Sequence, residues 1–217
     1  NATASPSPSV SPSPSEEPAP SEEPDPSLTN ISVTVKSQEE LDALPERKDA
    51  QHIVSVTSAP DAYITDISAV AELTNLERLY LHDGVFTDIS ALAGLTNLTY
   101  LFLIGSFTDV NALNGLTSLT ELHLPYSKNL TDINLTGLTS LTELKMSTFI
   151  SGASINLTTL PNLAEIHLTG YNNASIHLSG LPNLTSLELQ YCTNLPNLSS
   201  LAELPNFTSL NLTDCKL

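Results

Sequence analysis

The chain has 217 residues, 24 of them acidic and 7 basic, for a formal net charge of −17. Among the basic residues only Arg78, Lys128, Lys145 and Lys216 lie beyond residue 48, so the charge pattern offers no footing for nucleic acid or for an anionic membrane surface. No apolar run approaches the roughly 18 residues of a transmembrane helix, and the length suits one domain, expected to be a monomer, with an attached tail.

Residues 1–28 hold eight of the 15 prolines, many serines and Glu16, Glu17, Glu22, Glu23 and Asp25, with almost nothing apolar. Such a segment cannot bury enough surface to offset its ordering entropy, so a disordered, extended spacer of polyproline character is expected. Two readings stand: an end without a task, or a stalk lifting the domain off a cell envelope, anchored through a lipid on a residue upstream of Asn1. The sequence shows no signal peptide and starts without Met, which fits a processed product.

Residues 29–56 read as an N-terminal cap of strand, helix and strand. Ile31, Val33 and Val35 alternate like a half-buried strand. Ser37 and Glu40 have the Ser-x-x-Glu spacing of a capping box, opening a short helix that Pro45 ends. Ile53, Val54 and Val56 resume as a strand. A solenoid needs such a unit because its first coil would otherwise show water an apolar face and an unpaired sheet edge.

Residues 57–217 repeat themselves. The leucine opening each copy falls at Leu76, Leu98, Leu119, Leu141, Leu163 and Leu184, then Phe207, in steps of 22, 21, 22, 22, 21 and 23 residues. A period in the twenties carrying L-x-x-L-x-L is the signature of leucine-rich repeats, in which each coil needs its neighbours to bury its apolar face. The strand pairs Leu79/Leu81, Leu101/Leu103, Leu122/Leu124, Leu144/Met146, Ile166/Leu168, Leu187/Leu189 and Leu210/Leu212 are expected to point inward, because strand side chains alternate. On the return side, "TDISAVAEL", "TDISALAGL" and "TDVNALNGL" place Asp66, Asp88 and Asp109 as N-caps of short helical stretches. The middle copies, "TDINLTGL", "SINLTTL" and "SIHLSGL", are one residue shorter, and their alternating Ile133/Leu135, Ile155/Leu157 and Ile176/Leu178 predict an extended wall instead. The last copy, "NLSSLAELPNF", returns to the longer form.

"ITDISAVAELTNLERLYL", "FTDISALAGLTNLTYLFL" and "FTDVNALNGLTSLTELHL" resemble the internalin-type leucine-rich repeats of bacterial surface proteins, over about residues 53 to 217. The resemblance implies an α/β solenoid: a right-handed curved coil of about seven clear repeats with a parallel concave β-sheet. It also implies export to the bacterial surface and recognition of a protein or glycan through the concave face. Three features depart from the family's pattern. Gly84, Ser106, Ser127, Phe149, Tyr171, Cys192 and Cys215 stand where its turn asparagine usually does, so the turn's backbone groups must be satisfied otherwise. The cap is not the family's usual helical one. The chain stops after "CKL" without a polar cap, which fits either a longer protein or a partner covering that end. Cys192 and Cys215, one repeat apart, suit a stacked pair of small side chains; the spacing leaves a disulfide open.

Outward-pointing strand positions form three columns: Arg78, Tyr100, Glu121, Glu143, Glu165; Tyr80, Phe102, His123, Lys145, His167, Glu188; and His82, Ile104, Pro125, Ser147, Thr169. Toward the N-terminal end, Tyr80, Tyr100, Phe102 and Ile104 beside Arg78 and His82 make an aromatic and apolar patch of the kind that dominates binding energy. In the middle, Glu121, Glu143 and Glu165 run beside His123, Lys145 and His167. A metal is chemically conceivable there, but a solvated ladder of opposite charges accounts for the residues and no metal is assigned. The column Asp66, Asp88, Asp109 and Asp132 offers one carboxylate per coil, which suits capping better than calcium. There is no glycine-rich phosphate loop, HExxH or nucleophile elbow, and no cofactor or enzymatic activity is expected. The sequence thus predicts an extracellular, non-enzymatic binding module. A structural or adhesion spacer within a larger wall protein is the alternative.

Overall fold

The computed structural model describes residues 30–126, 129–148, 151–194 and 198–216. The expected spacer at 1–28 lies outside the described residues, as do Ser127, Lys128, Phe149 and Leu217.

The strands, in chain order, are β1 (Ile31–Val35), β2 (Ile53–Ser58), β3 (Arg78–Leu81), β4 (Tyr100–Leu103), β5 (Glu121–Leu124), β6 (Asp132–Asn134), β7 (Glu143–Ser147), β8 (Ser154–Asn156), β9 (Glu165–Thr169), β10 (Ser175–His177), β11 (Ser186–Gln190) and β12 (Ser209–Thr213). Nine of them form one parallel sheet in the order β1-β2-β3-β4-β5-β7-β9-β11-β12. The shorter copies place β6, β8 and β10 in a second parallel sheet of three strands, so the extended wall expected from the Ile/Leu alternation is present. The longer copies instead return through 3-10 turns at Ser68–Glu72, Ser90–Leu92, Asn111–Leu113 and Leu198–Glu203. This is the leucine-rich-repeat solenoid, with the nine-stranded sheet as its concave face.

Pairing is in register from coil to coil: Leu79, Leu101, Leu122, Leu144, Ile166, Leu187 and Leu210 stand opposite one another across successive strands. Twelve of the fourteen inward positions are buried, and the last strand departs from the expectation. Leu212 is only partly buried and Leu210 is 45% exposed, because among the described residues no coil packs over β12.

The cap follows the sequence closely. Ser37 Oγ accepts from the Glu40 N–H, and helix α1 (Gln38–Asp42) stops ahead of Pro45, which is the second residue of a separate 3-10 turn, Leu44–Glu46. The Glu40 carboxylate accepts from the Lys36 N–H rather than from that of Ser37, a capping box displaced by one residue. Strand β1 joins the sheet in parallel with β2, so the cap extends the sheet by one strand and β1 becomes its outermost member.

The aspartates cap, but one step away from where an α-helix would place them. Asp66, Asp88 and Asp109 each accept from the N–H two residues on, at Ser68, Ser90 and Asn111, at 2.8, 2.8 and 3.0 Å. Ile67, Ile89 and Val110 take the N-cap position of the 3-10 turns, one residue after each aspartate. Asp132 lies in β6, where there is no helical turn to cap.

Other groups replace the missing turn asparagines. Phe86 and Phe107, both buried, stack at 6.3 Å and 10° in the early coils, and Tyr171, at the asparagine position of its own coil, is fully buried. The turn's backbone bonds run coil to coil, as from Val85 N–H to Ile64, Ser106 N–H to Phe86 and Tyr191 N–H to Thr213. A threonine ladder leads into the strands: Thr99, Thr120, Thr142, Thr185 and Thr208 each donate to a carbonyl of the preceding coil. Asn75, Asn97, Asn162, Asn183 and Asn206 do the same from the Leu-x-Asn-Leu link. Cys192, buried, and Cys215, half-buried, are free thiols that lie against backbone carbonyls, as small packing side chains do.

Candidate binding face

The register that aligns the core also aligns the outward side chains. Arg78, Tyr100, Glu121, Glu143 and Glu165 pair across β3, β4, β5, β7 and β9, and Tyr80, Phe102, His123, Lys145 and His167 pair beside them. His82 and Ile104 flank the aromatic end just past β3 and β4, so the twelve residues singled out from the sequence share one face. The face divides in two.

At its N-terminal end the rings pack on each other. Tyr80 and Phe102 stack at 4.0 Å and 10°, with His82 parallel to both at 6.0 and 6.1 Å. The Arg78 guanidinium sits 4.2 Å over the Tyr100 ring, and Tyr100 meets His123 edge-on at 5.4 Å. Burial raises the Tyr100 phenol above its usual range. Ser58, nearly buried, both accepts from the His82 N–H at 2.7 Å and donates to the His82 carbonyl at 3.2 Å, tying β2 to the patch. Rings held this way keep their places without a ligand, so little rotamer entropy remains to be lost on contact.

The middle is an ion network. The Lys145 ammonium contacts the Glu143 carboxylate, holding that carboxyl below its ordinary pKa and raising its own. His123 lies with Nε2 3.9 Å from Glu143; burial, then the neighbouring Lys145, lowers its pKa, so the ring favours the neutral form. His167 is held between Glu188, 2.8 Å from Nδ1, and Glu165, 3.6 Å from Nε2. Gln190 donates to Glu188 at 2.5 Å, and that bond, with His167, lowers the Glu188 pKa. Between the two halves lies a depression of about 240 Å³ walled by Phe102, His123, Pro125, Lys145, Ser147 and His167. A larger hollow of about 720 Å³ runs along the edge past Gln51, Asn75, Asn97 and Thr99, whose polar groups already bond to backbone or to neighbouring coils.

Three residues of the face escaped sequence reasoning. Glu188 stands in the second column but was not assigned to the site, and it is what fixes His167. Tyr126 and Tyr191 lie at the rim, two residues past the last inward leucine of β5 and β11, and are 57% and 53% exposed. Both have left-handed backbone, φ 60° and 53°, at the turn where Gly170 takes φ 79°. The signal available in the sequence was the glycine at this position in two copies, Gly105 and Gly170, and the tyrosines in two others.

No protein-family model matches the sequence. No curated protein is found to match it either. Solved structures do match. An internalin (inlF) from Listeria monocytogenes is 24% identical with a TM-score of 0.59 over 86% of this chain and 61% of that one. The functional domain of InlJ from Listeria monocytogenes, described as including a cysteine ladder, is 20% identical with a TM-score of 0.62 over 77% of this chain and 36% of that one. TLR13 in its complex with ssRNA13 is 23% identical with a TM-score of 0.63 over 83% of this chain and 27% of that one. The chain therefore spans less than two thirds of each of these three proteins. By architecture it is a leucine-rich-repeat solenoid similar to those of the internalins.

Proposed function

We propose that the chain is a non-enzymatic binding module, displayed on the bacterial surface, that engages a protein or glycan partner through the nine-stranded face. The observation carrying this reading is the pre-packed cluster of Tyr80, Phe102, Tyr100 and Arg78 on an otherwise polar, acidic surface. Aromatic and arginine anchors ringed by polar groups are the usual seat of binding energy. Glu121, Glu143, Glu165 and Glu188 outnumber Arg78 and Lys145 along the face, which favours a cationic partner and disfavours a nucleic acid. The surface location is supported by the fold shared with the Listeria internalins and by the composition of residues 1–28; no helix among the described residues is long and apolar enough to cross a membrane. The absence of any recognisable catalytic motif from the sequence supports a binding role.

Panning a displayed random-peptide library and a glycan array with the wild type and a Tyr100→Ala/Phe102→Ala variant in parallel tests it. Ligands enriched by the wild type should be lost by the variant while the Tm stays nearly unchanged. Equal capture by both would remove the aromatic cluster from the site.

A further inference from the structure

We propose that Glu121, His123 and Glu143 form a binding site for a zinc-class divalent cation, and that the Lys145 ammonium occupies the cation position when no metal is bound. The three side chains come from β5 and β7, and one ligand atom from each lies within 4.8 Å of the others. A second observation, independent of the clustering, points to a ligand. His123 Nε2 is shut off from solvent and has no hydrogen-bond partner, although it faces the Glu143 carboxylate at 3.9 Å. An orphaned, buried ring nitrogen is costly and calls for an explanation. A lone pair directed at a metal supplies one: two atoms bound to the same tetrahedral zinc at about 2.1 Å each lie about 3.4 Å apart, so the pair would close by roughly half an ångström on binding.

The electrostatics agree. Glu121, Glu143 and Glu165 stand directly opposite one another on neighbouring strands, a like-charge stack that costs stability. Among the described residues, Lys145 contacts Glu143 and also acts through its charge on Glu165 and Glu121. One ammonium therefore serves three carboxylates, which leaves room for further positive charge. The ring is edge-packed by Tyr100 and Phe102, which fixes its orientation and lowers the local dielectric. An imidazole with two carboxylates selects zinc and its neighbours over calcium or magnesium, which take all-oxygen shells. The adjoining triad of Glu143, Glu165 and His167 is the poorer candidate, because Glu188 and Glu165 already hold both nitrogens of His167.

Calorimetric titration of the full 217-residue chain with zinc chloride after chelator treatment, with calcium chloride in parallel, tests the site. One zinc should bind with a rise in Tm, and calcium should not. His123→Gln and Glu143→Gln should weaken zinc at least about tenfold, the lower end of what even supporting residues cost in metal sites. Lys145→Met should tighten it several-fold by removing the competing cation, an effect a merely structural lysine would not produce. His167→Ala should leave it within about twofold, as the poorer triad requires. Each variant's Tm in chelator shows that it is folded, and His123→Ala serves if the glutamine variant is not. No uptake by the wild type, equal affinity after His123 replacement, unchanged or weaker binding by Lys145→Met, or loss of binding in His167→Ala overturns the proposal.

Discussion

Gly84 and Phe86 interlock because the first has no side chain: a Cβ on Gly84 would lie 2.1 Å from the Phe86 ring and 2.6 Å from the Ile104 carbonyl oxygen. The ring could swing aside, but the carbonyl belongs to the next coil's backbone, where the Ile104 N–H is tied to the Leu81 carbonyl. Gly84→Ala should therefore cost about 1–3 kcal/mol as overpacking. Adding Phe86→Leu should recover part of the loss, read as a non-additive urea midpoint in the double variant.

Leu122 and Leu210 occupy the same register position at different levels of the stack, with exposures of 0% and 45%. Leu122→Ala should cost about 2–5 kcal/mol as a core truncation. Leu210→Ala should cost less than about 1 kcal/mol, since much of its surface is already wet. Equal losses in chemical denaturation would mean that β12 is covered in solution.

Tyr171 buries its whole side chain, and its hydroxyl has no hydrogen-bond partner. Tyr171→Phe removes that unsatisfied group while keeping the ring, so stability should match the wild type or exceed it by up to about 2 kcal/mol. Burial also raises the phenol's pKa in the folded state. An unfolded tyrosine ionises near pH 10, so above about pH 10 the unfolded chain binds fewer protons than the folded one and wild-type stability falls. The contribution is intact below that pH. The gap between Tyr171→Phe and wild-type denaturation midpoints should widen above it.

Ser58 spends its hydroxyl on both backbone groups of His82. Ser58→Ala leaves those groups partly unsatisfied in a nearly dry position and should lower stability by about 1–3 kcal/mol. It should also loosen the His82 ring against Tyr80 and Phe102, visible as line broadening of the three aromatic spin systems.

Periodicity made the spine legible: the spacing of Leu79, Leu101 and Leu122 placed them inward because alternation along a strand leaves no other choice. The one-residue shortening that separates "TDINLTGL" from "TDISALAGL" was enough to distinguish an extended wall from 3-10 turns. The same periodicity put Tyr80, Phe102 and His123 on one face. Parallel stacking of the Tyr80 and Phe102 rings depends on rotamers and was not readable. Neither was the replacement of turn asparagines by Phe86 and Phe107, which sit two and one residues away from that position in their copies, Phe86 lying over side-chain-free Gly84. The threonine ladder was open to view at a 21–23-residue spacing, but Thr is so common in these repeats that only the hydrogen bonds single out Thr99, Thr120 and Thr142.

Because Leu101, Leu122, Leu144, Ile166 and Leu187 face one another in register, the upper surface of each coil presents nearly the same contour as the one below it. A deletion of one whole period thus brings together two surfaces that already match, whereas a deletion of half a period joins a strand to a return segment and breaks both sheets. Genes encoding such chains can lengthen or shorten by unequal exchange between copies, and the length of the binding face becomes a heritable variable that changes in steps of one coil.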